Sequence, residues 1–272
     1  MTPTKNLLQN GTYASDWIKD FYDQTAIWWG ADSEIPEEDQ WRAQTVERLC
    51  GPGPKRVLEL GCGAGHTAAA TANLGHDVTG IDISPRRIRQ AKDNFPNPLK
   101  GQLTFIEADF YTVQFEKRFD VIVYWDGFGV QTDADHRRLF QLIAGEWLAL
   151  GGSFLVEVAN TVWVARNAGK EMRLDPLEGV PGSVVMLRRW HFDALHSRWI
   201  DEWIPVQHPE DALAQTIRCY TPADLVLLSE GTGLKVKYLE VSGQPIDLAP
   251  EKIILNEALL MEYSFLAQLV AG

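Results

Sequence analysis

The sequence predicts an α/β fold: a doubly wound, mostly parallel sheet with extra segments before its first strand and after its fifth. Three observations predict it. Residues 57–65 read V-L-E-L-G-C-G-A-G, an apolar run suited to a buried parallel strand that breaks into glycines at 61, 63 and 65. Strand and helix patterns then alternate over residues 56–159, as right-handed crossovers between parallel strands require. Finally, the acids Glu59, Asp82 and Asp109 fall at the ends of successive strands, where such a sheet opens a ligand crevice.

The elements follow in order. Residues 13–29 carry Trp17, Ile18, Phe21, Tyr22, Ile27 and Trp28 near helical spacing, and an acidic loop follows over 32–39. Residues 40–49 read as a second helix, stopped by G-P-G-P at 51–54. The first strand is 56–60 and the first helix of the alternation 65–74; the second strand is 77–81. Residues 84–94 read as a helix with Ser84 as cap and Pro85 in its first turn. Strands follow at 103–107 and 119–125, a helix at 133–148, and a fifth strand at 153–159 after Gly151-Gly152. Residues 160–182 look like loop. Polar and apolar residues alternate at 183–192, 198–206 and 214–220, which predicts antiparallel strands. Thr221-Pro222 opens a helix to Glu230, residues 234–241 form a strand, and 260–270 read as a final strand, with a helix as the alternative. This divides the chain into an N-terminal helical lid (1–50), a ligand-binding core (51–159), a β insertion (160–220) and the C-terminal part of the core (221–272).

Composition narrows the function classes. A formal net charge of −12 over 272 residues, with no Lys/Arg run longer than two, argues against a nucleic-acid partner. No apolar run approaches the length of a membrane span, and the first ten residues lack an apolar signal core, so a cytoplasmic protein is expected. Cys50, Cys62 and Cys219 form no disulfide or metal-ligand pattern, and no metal is expected. Ten tryptophans, several outside the sheet pattern, suggest an aromatic-lined pocket.

The glycine spacing is G-x-G-x-G with His66 in place of a final glycine, unlike the G-x-G-x-x-G of dinucleotide sites. Glu59 would also repel a nearby pyrophosphate. Asp82 stands where ribose hydroxyls would lie, and Asp109 with Phe110 suits an adenine amine and face. A cationic, phosphate-free adenosine fits best, and that is S-adenosylmethionine.

V-L-E-L-G-C-G-A-G, G-I-D-I-S-P, E-A-D-F, F-D-V-I-V-Y and L-A-L-G-G-S-F-L-V-E-V, in this order over 56–159, resemble the class I S-adenosylmethionine-dependent methyltransferases of small-molecule type. A later R-C-Y-T-P-A-D-L…G-L-K-V is similar to the family's segment before the sixth strand. The resemblance implies a Rossmann-like sheet of seven strands with the last antiparallel. It also implies that Glu59, Gly61, Cys62 and Gly63 border the methionine part of the cofactor. By the same resemblance Asp82 holds the ribose, Ile83, Asp109 and Phe110 contact the adenine, and Tyr124 and Trp125 lie near the sulfonium. The product would be S-adenosylhomocysteine.

Methyl transfer needs in-line positioning and a dry site more than a fixed catalytic side chain. Asp126 and His136 after the fourth strand, and Tyr22 in the lid, are the candidate catalytic groups; His136 is equally an exposed first-turn residue of a helix. Trp29, Phe128, Trp163, His191 and Trp203 are the candidate acceptor contacts, pointing to an apolar or aromatic acceptor or a cation packed on rings. The expected reaction is methylation of an N or O nucleophile of a small molecule, of the kind found in natural-product biosynthesis, by a monomer or homodimer. A nicotinamide-dependent oxidoreductase and a non-catalytic cofactor-binding protein remain as alternatives.

Overall fold

The computed structural model describes residues 17–30, 33–97, 100–180, 182–247 and 256–272. Residues 13–16 of the first expected helix and residue 32 of the acidic loop lie outside them. Two helices, α1 (Trp17–Trp29) and α2 (Glu37–Cys50), precede the sheet. Then come β1 (Arg56–Leu60), α3 (His66–Asn73), β2 (Asp77–Asp82), α4 (Pro85–Asn94), β3 (Gln102–Glu107) and β4 (Phe119–Phe128). Next are α5 (Asp133–Leu142), β5 (Leu148–Ala159), α6 (Thr161–Asn167) and β6 (Glu171–Leu174). The insertion continues with β7 (Met186–Asp193), β8 (Arg198–Pro205) and β9 (Leu213–Arg218). The chain returns through α7 (Pro222–Ser229), β10 (Leu234–Val241), β11 (Gln244–Pro245), α8 (Ala258–Met261) and β12 (Ser264–Ala271).

The large sheet runs β11-β10-β12-β5-β4-β1-β2-β3. Strands β1 to β5 pair in parallel, and β12 is antiparallel to both β5 and β10. Seven strands were expected; the two-residue β11 adds an eighth at the edge. The second sheet, β6-β7-β8-β9, is wholly antiparallel.

Period-2 alternation splits the large sheet's faces. Leu58, Leu60, Ile122, Tyr124 and Phe154 join a core with α5 and α7. Val57, Val121, Val123 and Trp125 join one with α2, α3 and α4. Each fully buried Leu or Val stabilises by about 1.5–3 kcal/mol over its exposed state. A third cluster joins Trp17, Ile18, Phe21 and Trp28 of α1 to Met186, Trp199, Trp203 and Ile217 of the insertion.

Several expectations need correction. Residues 160–182 are not all loop: Asn160 caps α6 by accepting from the Val162 N–H at 3.1 Å, and β6 pairs with β7. Pairing partners far along the chain decide β6, so its own four residues carry little signal. The helix predicted over 133–148 is α-helical only to Leu142 and ends in a π-helical turn, Ile143–Trp147. The fourth strand runs on to Phe128 through an irregularity after Tyr124. Among the described residues no helix is long and apolar enough to cross a membrane.

Candidate active site

The glycine turn closes the carboxyl end of β1. Gly61, Gly63 and Gly65 all take positive φ (65°, 53° and 88°), which side chains rarely adopt. A Cβ at Gly65 would lie 2.6 Å from the Phe105 ring, whereas one at Gly63 would meet nothing within 4 Å. Gly65 is therefore small for packing. Gly63 faces open space.

Asp82 ties this turn to the end of β2. Its two carboxylate oxygens accept the Gly63 N–H at 2.9 Å and the Ser84 N–H at 2.8 Å. Burial pushes its carboxyl up, and these amides pull back. The Asp82 carboxylate thus shapes the turn, and its remaining lone pairs are what a ribose could use. Cys62 presents only backbone to the turn; its side chain packs on Gly80 and its N–H donates to the Ile81 carbonyl at 3.0 Å. Ile83, Asp109 and Phe110 are all half-buried; Asp109 accepts the Tyr111 N–H at 2.9 Å, and Phe110 meets Tyr124 edge-on at 5.5 Å.

Glu59 is 4% exposed, and its Oε2 has no hydrogen-bond partner among the described residues. Desolvation, then the Asp39 charge, raises its carboxyl to about 8, with Arg42 opposing. It lies on the same sheet face as Trp125, over whose ring the Arg42 guanidinium stands at 6.0 Å. The Trp125 Nε1 is likewise buried without a partner among the described residues.

Asp126 stands at the bend in β4 with φ 50°, a left-handed conformation that non-glycine residues adopt at a cost. Asp126 is exposed and lines a cleft. Desolvation first, then the Glu157 charge, raises it to about 7, against Arg42. The Tyr263 hydroxyl donates to it at 3.4 Å.

The cleft holds about 600 Å³ and is lined by Trp28 and Trp29 of α1, Asp126, Met186, Arg188 and Trp203 among others. Helix α1 forms one wall because it is pinned at several points. Asp23 accepts from Ser84 Oγ at 3.0 Å, Arg87 donates to the Gly30 carbonyl at 3.0 Å, and Tyr22 donates to Gln215 at 3.0 Å. The Tyr22 phenol is raised by burial and then by Asp126 and Asp82, so it stays protonated.

Of the candidate acceptor contacts, Trp29 and Trp203 line this cleft and touch each other at 5.1 Å between ring centroids. Trp163 stands behind it, against Trp190 and Tyr263. Phe128 does not reach the cleft. It is 2% exposed and packs on Tyr124, His136, Phe140 and Tyr220. His136 is also absent from it: at 1% exposure its Nδ1–H donates to Tyr220 at 2.8 Å, and Tyr220 donates to Asp133 at 2.7 Å. Desolvation lowers its imidazole to about 3. His191 alternates with Trp190 along β7, so it projects from the opposite face, where it meets Glu202 at 3.7 Å.

Composition gave no hint of Arg188, the side chain the tryptophans surround. Its guanidinium lies 4.6 Å from the Trp203 centroid, 5.2 Å from Trp190 and 5.4 Å from Trp199. Its Nε and Nη2 grip the fully buried Asp201 at 2.7 and 2.8 Å. Asp201 also accepts from Trp203 Nε1 and Gln215 Nε2, each at 2.9 Å. The ring faces expected to receive a ligand cation are thus occupied by the protein's own arginine, and Trp29 similarly carries Arg87 at 5.3 Å.

Residues 57–152 match the model of a methyltransferase domain. Over 71 residues the chain is 39% identical to magnesium-protoporphyrin O-methyltransferase of Rhodobacter capsulatus, covering 26% of this chain and 31% of that one. The chain spans about a third to a half of the length of the curated relatives it matches. Two solved structures share the fold over nearly its whole length. The CcbJ methyltransferase from Streptomyces caelestis has TM-score 0.69 and 20% identity, covering 95% of this chain and 97% of its own. CalS10, an amino pentose methyltransferase from Micromonospora echinaspora involved in calicheamicin biosynthesis, has TM-score 0.57 and 18% identity, covering 91% and 96%. With the glycine turn, the strand-end acids and this strand order, residues 57–152 form a methyltransferase domain in a chain that shares its fold with these structures.

Proposed function

We propose that the protein transfers a methyl group from S-adenosylmethionine to an N or O nucleophile of a small molecule held between α1 and the insertion sheet, in a natural-product type of chemistry. The observation that carries this reading is Asp126, strained at the end of β4 and open to an aromatic cleft.

The residues present fit the cofactor. Glu59 offers a buried, unpartnered oxygen to a cationic group, Gly63 leaves room above the turn, and Asp82 keeps acceptor capacity for a diol. Gly61, Ile83, Asp109, Phe110, Tyr124 and Trp125 would complete the enclosure. When bound, the cofactor supplies a methyl group already activated on sulfur. The chain's part is to position and desolvate. Asp126, raised to about 7, takes the proton that an O–H or N–H acceptor must lose. Tyr22 and Tyr263 are held protonated by burial, so they serve as donors that orient and not as bases. Helices α1 and α2 act as a lid, with Trp29 covering the acceptor.

Separate calorimetric titrations with S-adenosylhomocysteine and NADH test the cofactor. Tight NADH binding without an adenosylhomocysteine signal would sink the reading. Methyl-labelled cofactor with amines, phenols and carboxylates tests the transfer; micromolar cofactor binding with no labelled product from any of them would favour a non-catalytic binder.

A further inference from the structure

The charges around the cleft are arranged in a way the methyl-transfer reading does not require. Asp126 and Asp175 line it together with Arg173 and Arg188, two acids against two arginines. Asp126 sits at the end of the large sheet and Arg188 on β7 across the cleft. Arg188 spends Nε and Nη2 on Asp201 and is clamped by three indoles, while its side chain keeps 22% exposure. Its Nη1 has no hydrogen-bond partner among the described residues. A guanidinium held this rigidly presents a pre-aimed donor that loses little side-chain freedom on binding an anion. The aromatic faces are already occupied by guanidinium, so an incoming amine must find a carboxylate; of the two that line the cleft, Asp126 is the one at the end of β4, where the methyl donor is proposed to lie.

We propose that the acceptor is a zwitterion, an amine with a carboxylate on a nearby carbon and an apolar or aromatic remainder, its amine at Asp126 and its carboxylate at Arg188 Nη1. This rests on the methyl-transfer reading and narrows it to N-methylation. The ammonium first gives one proton to Asp126 and on to solvent; the lone pair so freed forms the new N–C bond as the C–S bond breaks, and that bond's electron pair returns to sulfur, leaving an N-methylated ammonium. Trp28, Trp29 and Met186 wall the apolar remainder. A purely cationic acceptor would leave Arg188 Nη1 without a partner, and a purely anionic one would face Asp126.

The test uses matched pairs: phenylalanine and phenethylamine, tryptophan and tryptamine, anthranilate and aniline. Each is titrated by calorimetry into protein saturated with S-adenosylhomocysteine, then assayed with methyl-labelled cofactor. At least one acid is expected to bind, or to be methylated, ten-fold or more better than its decarboxylated partner. Arg188→Gln combined with Asp201→Asn keeps the buried pair hydrogen-bonded without charge, and should cut that preference to about two-fold with adenosylhomocysteine affinity unchanged. Equal handling within every pair, no binding of any acid to the loaded protein, or a preference that survives the double substitution overturns the proposal. If adenosylhomocysteine itself fails to bind, the methyltransferase reading falls and takes the proposal with it. If the double variant does not fold, the preference in the unaltered protein still decides.

Discussion

Gly63 and Gly65 stand two residues apart and respond to different demands. Gly63→Val adds a side chain to space that only a ligand would fill, at a backbone cost of about 1–2 kcal/mol. Adenosylhomocysteine affinity should fall at least ten-fold by calorimetry, with a modest loss in thermal stability. Gly65→Ala drives a methyl into Phe105, so it should lower the melting temperature more and affinity less. Asp126→Asn is tolerated by the left-handed bend, because asparagine adopts it more readily than most residues. The wild-type rate should rise as pH passes through about 7, where Asp126 becomes a carboxylate. In the variant that limb should vanish and the rate drop by about 10²-fold or more; an unchanged pH profile would remove Asp126 from the role of base. His136 titrates in the other direction. Its folded value near 3 lies below the ordinary 6.5, so its contribution is present above pH 6.5 and is lost as pH falls toward 3. His136→Phe should flatten the loss of stability between pH 6.5 and 5, by up to about 2 kcal/mol.

Helix ends and strand faces set what a sequence can reveal here. Ser84 before Pro85 and Thr221 before Pro222 were legible because a cap is a local device: Ser84 Oγ accepts from the Arg87 N–H, and Thr221 and Asp224 form a reciprocal capping box. Thr221→Ala should cost about 1 kcal/mol in denaturant unfolding. The glycine turn and the strand-end acids were legible for the same reason, since each is fixed by residues close in sequence. His191 and Phe128 were misread as acceptor contacts because one residue of register decides which face a side chain takes. Arg188 could not be found from its own surroundings. Its neighbours Trp199, Asp201 and Trp203 lie on another strand, and only the β7–β8 register, Arg188 opposite Trp203, brings them together. His136 was read as a first-turn residue, which it is, but helix position alone does not say that Tyr220 will cover it from far along the chain.

The molecule as a whole joins two sheets through α1, which touches the glycine-turn side at Ser84 and the insertion at Gln215. A ligand spanning the turn and the cleft would lock that helix. Saturating adenosylhomocysteine, at a hundred times its dissociation constant, should stabilise the fold by about 2.7 kcal/mol. Amide exchange in α1 should slow as well; exchange in α1 that ignores the ligand would argue against a lid.

The placement of β12 has a consequence for synthesis. It lies between β5 and β10, although every other strand of the large sheet precedes it in the chain. Ser264 pairs with Ala159, so β5 waits about a hundred residues for its neighbour, which at ribosomal speeds is roughly 5–20 s. During that interval β5 is an open edge with unpaired amides and carbonyls, joined by β10 once Leu234–Val241 has been made, and such edges recruit other chains. Nascent chains arrested before Ser264 should therefore be captured by chaperones or aggregate, and emergence of β12 is the event that zips the sheet shut.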